Sequence, residues 1–195
     1  KPLAYESTHI ALLAWDVSKS DVARFLQEQL PFHIVHVSGD ASLAKVVLQS
    51  IGPPYAVVAL HSTGEFAKKY KAVMGSGSYV SVANNVEGSV VDEAAVAQEL
   101  LASFHRLLAT QGTADLPPPT WGPSLHRWGA AFPVPELPPA LASEDAWISP
   151  ADRFAFAGDF LAPPSACVAA ALRSGLAAGE ALLQHVAREA PSSSL

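Results

Sequence analysis

The sequence predicts an α+β fold: a mostly antiparallel sheet with helices on one side, followed by a further strand and helix near the C-terminal end. Three observations carry this. Half of the 195 residues are hydrophobic and 15% are charged, which predicts a sizeable core and excludes a disordered polar chain. Short apolar, β-branched runs recur between glycine and proline punctuation, which is the pattern of strands. Two longer stretches repeat their apolar residues at helical spacing.

The elements follow in order. Residues 8 to 15, Thr-His-Ile-Ala-Leu-Leu-Ala-Trp, read as a buried strand. Ser20 can cap the helix after it, where Val22, Phe25, Leu26 and Leu30 recur at helical spacing. Residues 32 to 38 are rich in β-branched side chains and end at Gly39-Asp40, so a strand meets a turn. Tyr55 to His61 is another strand, introduced by Gly52-Pro53-Pro54. Gly75 to Ser78 and Asn84-Asn85 mark a loop or a loosely ordered insertion. Asp92 to Leu108 is a helix with an acidic first turn and a stripe of Val96, Leu100, Phe104, Leu107 and Leu108.

Beyond it the chain changes texture. Proline-rich stretches at 116–119 and 133–139 bracket an extended segment from Trp121 to Ala131. Arg153 to Ala157 reads as a short buried strand ending at Gly158-Asp159. Pro163-Pro164 break the chain, and Ser165 opens an Ala-rich helix to about His185. The reading divides the chain into a substrate-binding type of region at 1–150, a C-terminal strand and helix at 151–190, and a frayed tail at 191–195.

Charge and cysteine content narrow the function classes. A net charge of -6 offers no electrostatic footprint for nucleic acid or an anionic membrane surface. No apolar run reaches the length of a membrane span. A single cysteine, Cys167, cannot close an internal disulfide, which points to a soluble protein in a reducing, intracellular compartment. The start, Lys-Pro-Leu-Ala-Tyr, has no signal-peptide pattern and reads as the middle of a longer chain.

The stretch most informative about chemistry runs from Phe154 to Glu180. An apolar strand ends at Gly158-Asp159, and a helix beginning with small residues follows within a few residues. Glycine lets the backbone approach a bulky ligand. An aspartate at a strand end can accept hydrogen bonds from a polyol such as ribityl. A helix N-terminus presents free N–H groups and partial positive charge to an electron-rich acceptor, and in a reduced flavin negative charge builds at the N1/O2 edge. Ala166, Ala169 and Ala170 leave room for a planar ring.

This strand–Gly-Asp–loop–helix, with its Ala/Ser-Gly-rich helix ending in Ala-Gly-Glu, resembles the C-terminal signature of the flavin-containing amine oxidase superfamily. Three further stretches resemble its renalase-like branch: Trp121 with His126-Arg127-Trp128, the run Val57 to Gly64, and Val35 to Gly39. They occur in family order, and the resemblance covers nearly all of residues 5 to 187. It implies an FAD-dependent oxidoreductase that passes hydride from a small substrate, such as a dihydronicotinamide, to flavin. It also implies that Gly158 and Asp159 meet the ribityl–phosphate end of FAD, and that Ala166, Cys167 and Val168 form the helix start facing the isoalloxazine. Arg127 and Trp128 match a strand pair near the flavin domain, with no defined catalytic role.

The chain also departs from the family. A G-x-G-x-x-G strand–turn–helix for the ADP pyrophosphate is expected, and the nearest string, Gly75-Ser-Gly-Ser-Tyr-Val80, lacks the third glycine. The resemblance therefore implies that the N-terminal Rossmann half is absent from this chain. The expected consequences are a partner polypeptide, or self-association through the strand near Phe154. The aromatic cage of other amine oxidases is missing around Asp159 to Ala166. A cofactor-free interaction subunit is the alternative function.

Plainer roles stand beside these. Asp159 could cap a turn. Cys167 reads as a small buried residue rather than a nucleophile. His33 and His36 would point to opposite faces of a strand, and no histidine pair has metal-ligand spacing, so no metal is expected. Ser62-Thr63-Gly64 lacks a nucleophile elbow. His126-Arg127 could be a surface pair on an edge strand. Lys68, Lys69 and Lys71 read as a solvated helix face.

Overall fold

A computed structural model describes residues 4–19, 21–50, 53–73, 90–110, 116–133, 146–149, 152, 154–161 and 167–189. The chain forms two compact units, Ser7–Gly129 and Lys1–Glu6 with Ala130–Leu195.

In the first unit the strands are β1 (Tyr5–Asp16), β2 (Ile34–His36), β3 (Leu43–Ser50), β4 (Tyr55–Ser62) and β5 (Trp121–Pro133). They make one five-stranded antiparallel sheet in the order β2-β3-β4-β1-β5. Among the described residues this unit has the helices α1 (Val22–Gln29), α2 (Gly64–Lys69) and α3 (Val90–Thr110). The expected α+β architecture is therefore present. The expected extents shift, most of all in two strands. β1 is longer than residues 8 to 15, and β2 keeps only three of the residues 32 to 38. Ser20 and the 75–89 segment lie outside the described residues, so the proposed cap and loop do too.

Alternation decides which face of the sheet is buried. On β1, His9, Ala11, Leu13 and Trp15 are each 0–1% exposed. They alternate with half-buried Ile10, Leu12 and Ala14. Pairing carries the buried row across the sheet, with Leu13 opposite Val58 and Trp15 opposite Ala56, then Leu48 opposite Val58 and Val46 opposite Leu60. Val22 and Leu26 of α1, Phe66 of α2, and Val96, Leu100, Phe104 and Leu108 of α3 close over this row in a single apolar cluster. Each large side chain so buried contributes about 1.5–3 kcal/mol. The helices of this unit thus sit on one face, as the sequence predicts.

Polar groups finish the joints. Thr63 caps α2 by accepting from the Phe66 N–H at 3.1 Å. Gly39 takes φ 84°, and Asp40 accepts from the Ser42 and Leu43 N–H groups, both at 2.8 Å. That is the turn expected at Gly39-Asp40. Trp15 Nε1 donates to the Pro117 carbonyl at 2.8 Å, and the Asp16 N–H donates to Thr120 Oγ1 at 3.0 Å. These bonds tie the approach to β5 against β1.

The second unit holds a two-stranded antiparallel sheet of β6 (Trp147–Ser149) and β7 (Phe154–Phe156), a single 3-10 turn (Asp159–Leu161), and α4 (Val168–Glu189). The strand expected to be buried at 153–157 is instead largely exposed, with Phe156 at 50%. Its partner has only three residues, so two strands cannot enclose both faces. The rings of Trp147 and Phe156 stack at 5.2 Å, and Phe154 meets each edge-on at 5.5 and 5.3 Å. No described helix is long and apolar enough to cross a membrane.

Candidate functional site

The Gly-Asp turn and the helix start lie in the second unit, and local forces hold the turn to the helix. β7 ends at Phe156, and the Gly158 N–H donates to the hydroxyl of buried Ser174 on α4 at 2.9 Å. The Leu161 N–H closes the 3-10 turn on the Gly158 carbonyl at 3.3 Å, and Leu161 is buried. A Cβ on Gly158 would stand 2.5 Å from the Phe160 ring. Glycine is therefore favoured here by a neighbouring side chain rather than by an unusual φ.

Asp159 opens the 3-10 turn and is half-buried. Ala166 lies outside the described residues. The Cys167 carbonyl accepts from the Ala171 N–H at 3.0 Å, so Cys167 is the residue that leads into α4. Its side chain is exposed, which corrects the expectation of a buried cysteine. The residue type suggested a core position, whereas the helix boundary places it in solvent. Val168 is 78% exposed. The turn is thus fastened to α4, and Cys167 and Val168 at the helix start are exposed.

The first unit presents a second group of polar residues that sequence reasoning did not assemble. On the sheet face away from the helix-covered core, His36 pairs with Lys45 and Lys45 with His61, making one row across β2, β3 and β4. Tyr55, Val57 and Ala59 share the face with His61 by alternation. On β5, Leu125 is buried and Arg127 acts electrostatically on His9, so odd positions face the core. His126 and Trp128 then belong to the other face, with ring centroids 5.2 Å apart. Burial, helped by the charge of Lys45, pushes His61 down to about 4, which keeps it neutral near pH 7. Its Nδ1 is buried and has no hydrogen-bond partner among the described residues.

His9 has a structural role. Its Nε2 donates to the Val73 carbonyl at 2.9 Å, and its ring stands edge-on to Phe66 at 6.3 Å. Burial lowers its pKa against that hydrogen bond, and Arg127 lowers it further. Arg127 therefore serves the core side of β5 and is not a simple surface residue beside His126.

Lys68 and Lys69 are exposed and pair with Glu65 and Glu99 at 2.9 and 3.5 Å. Tyr70 donates to Glu99 at 2.6 Å, and that bond is the main cause of the low Glu99 pKa. A cavity of about 350 Å³ opens between the first turn of α3, at Glu93 and Ala94, and Trp121 to Leu125 of β5. Among the described residues no group of histidine, cysteine or carboxylate side chains is arranged to hold a metal.

Set against protein-family models and against curated proteins, the chain matches no family model and no curated sequence.

Proposed function

We propose that this chain is the substrate-binding layer and C-terminal strand–helix of an FAD-dependent oxidoreductase of the renalase-like type. The observation that carries the reading is the Gly158–Ser174 hydrogen bond beside an open helix start. It gives the strand-end turn a fixed place on the helix, while Cys167 and Val168 stay accessible. The residues present fit a flavin at this end. Among the described residues nothing bonds the Asp159 carboxylate, so it is available to a ribityl hydroxyl. The helix start offers its N–H groups to an electron-rich edge. FAD, when bound, would accept the substrate's hydride. The chain's own part is to bind and orient. The antiparallel sheet supports this as the substrate layer, because its second face carries Tyr55, His61, His126 and Trp128. A small substrate such as a dihydronicotinamide can lie against aromatic and neutral imidazole rings there.

The test is FAD titration of the 195-residue chain, followed by flavin fluorescence anisotropy, with Asp159→Ala and Val168→Trp beside the wild type. Weak, reversible binding that both substitutions abolish is expected, since this chain offers no pyrophosphate-binding glycine turn. Equal anisotropy in all three proteins would remove Gly158 to Val168 from any flavin site. A cofactor-free interaction subunit is the second reading. It is favoured by one observation, the exposed apolar stripe along α4.

A further inference from the structure

We propose that the cavity between the start of α3 and the start of β5 is a binding site for a single neutral sugar ring. It holds about 350 Å³, with Glu93 and Ala94 of α3 on one side and Trp121 to Leu125 of β5 on the other. That volume is at the lower end for small-ligand pockets, about 300–1,000 Å³, so it takes one ring and not a chain of them. None of these residues belongs to the flavin reading at Gly158 to Val168 or to the sheet face around His61, so the site stands apart from both.

The lining selects the ligand. Trp121 is 54% exposed, and its indole presents a flat apolar surface to whatever enters. Glu93 is only 8% exposed, which is rare for a carboxylate side chain. It already makes an interaction within the protein, but a carboxylate has about four acceptor sites, so that interaction does not exhaust it. Ser124 adds a hydroxyl that both donates and accepts. An apolar plane beside acceptors and a donor matches a pyranose, which has C–H faces and a rim of hydroxyls. Other classes fit less well. Glu93 repels an anion. The first turn of α3 brings the positive end of a helix dipole to the same cavity, which disfavours a cation. An apolar ligand would strip water from the carboxylate and return no hydrogen bond.

The β5 wall is held in place before any ligand arrives. Gly122, at φ 91°, backs onto the Leu12 carbonyl of β1, and Pro123 fixes its own φ. These two residues set where Trp121 and Ser124 stand on either side of them, so binding has little ordering to impose on this wall.

The probe is methyl β-D-glucopyranoside, whose equatorial hydroxyls leave a C–H face free to stack. Titrated into the full 195-residue chain to roughly 50 mM, it should saturate with a Kd of about 1–10 mM, read by tryptophan fluorescence and saturation-transfer NMR. Transfer should be strongest to the ring C–H hydrogens. Trp121→Ala and Glu93→Gln should each weaken binding about tenfold. Ser124→Ala, the variant least able to disturb folding, should weaken it about threefold. Far-UV circular dichroism checks that each variant folds. No saturation by about 50 mM, or equal affinity in the wild type, Trp121→Ala and Ser124→Ala, would overturn the proposal. Binding of n-butylammonium more tightly than the glycoside, lost in Glu93→Gln, would also overturn it and make an organic cation the occupant.

Discussion

The backbone N–H of Gly158 and the hydroxyl of Ser174 are joined by a 2.9 Å hydrogen bond that spans sixteen residues of sequence. Ser174 is buried on α4, so the bond fixes where the strand-end turn sits along the helix. Ser174→Ala leaves the Gly158 N–H without this acceptor and should cost about 1–2 kcal/mol. Hydrogen exchange at residues 158 to 161 should speed up while exchange in the five-stranded sheet stays unchanged. Exchange at the turn no faster than in the wild type would show that the bond does not hold it.

Gly158→Ala should behave differently from Ser174→Ala. The added methyl would meet the Phe160 ring at 2.5 Å, and that ring belongs to a side chain that can rotate. A loss of about 1 kcal/mol or less is expected, provided the ring swings aside. Urea unfolding of the two variants, side by side, measures the difference. A larger loss for Gly158→Ala than for Ser174→Ala would mean that Phe160 is rigidly held.

Gly122 is the least replaceable glycine described. It has φ 91°, and a Cβ there would collide with the backbone carbonyl of Leu12 on the neighbouring strand. Neither backbone can retreat without breaking the β1–β5 edge of the sheet. Gly122→Ala should therefore destabilise the first unit by about 2–4 kcal/mol. Chemical denaturation followed by tryptophan fluorescence reads this, because Trp15 lies in the same core. A loss under about 0.5 kcal/mol would show that the two strands move apart freely.

How far the sequence revealed this molecule depended on whether a signal was local. The Gly39-Asp40 turn and the stripe of α3 were legible because turn chemistry and helical periodicity act within a few residues, whereas the Thr63 cap of α2 emerged only with the structure. β3 was not. Its Leu-Ala-Lys-Val-Val-Leu-Gln-Ser run has three apolar residues in succession, and register shifts between Leu43 and Lys45 and between Leu48 and Ser50 break the two-residue period. β6 has three residues and its pairing with Phe154 to Phe156 is set by tertiary contacts. At the candidate site the Gly-Asp turn was legible and its Ser174 partner was not. The exposure of Cys167 followed from where α4 begins, which residue type does not reveal. The His36–Lys45–His61 row exists only because three strands pair in one register.

That row makes a prediction about pH. Burial and Lys45 hold His61 at about 4, below the ordinary histidine value of 6.5, and burial lowers His9 in the same direction. In the unfolded chain both imidazoles take up a proton as the pH falls through about 6.5. In the folded chain His61 stays neutral until about pH 4. The unfolded state therefore binds more protons across this window, and stability falls as pH falls. The contribution is fully present above about 6.5 and is lost progressively toward 4. Solvent screening at this half-buried position limits it to about 1–2 kcal/mol. Urea unfolding between pH 7.5 and 4.5 should show this decline, and His61→Gln should flatten it. Lys45→Gln should raise the His61 pKa only in part, because burial is the larger cause; NMR titration of the imidazole would read that shift. A His61→Gln protein with the wild-type slope would assign the pH dependence to His9 and leave His61 without a part in it.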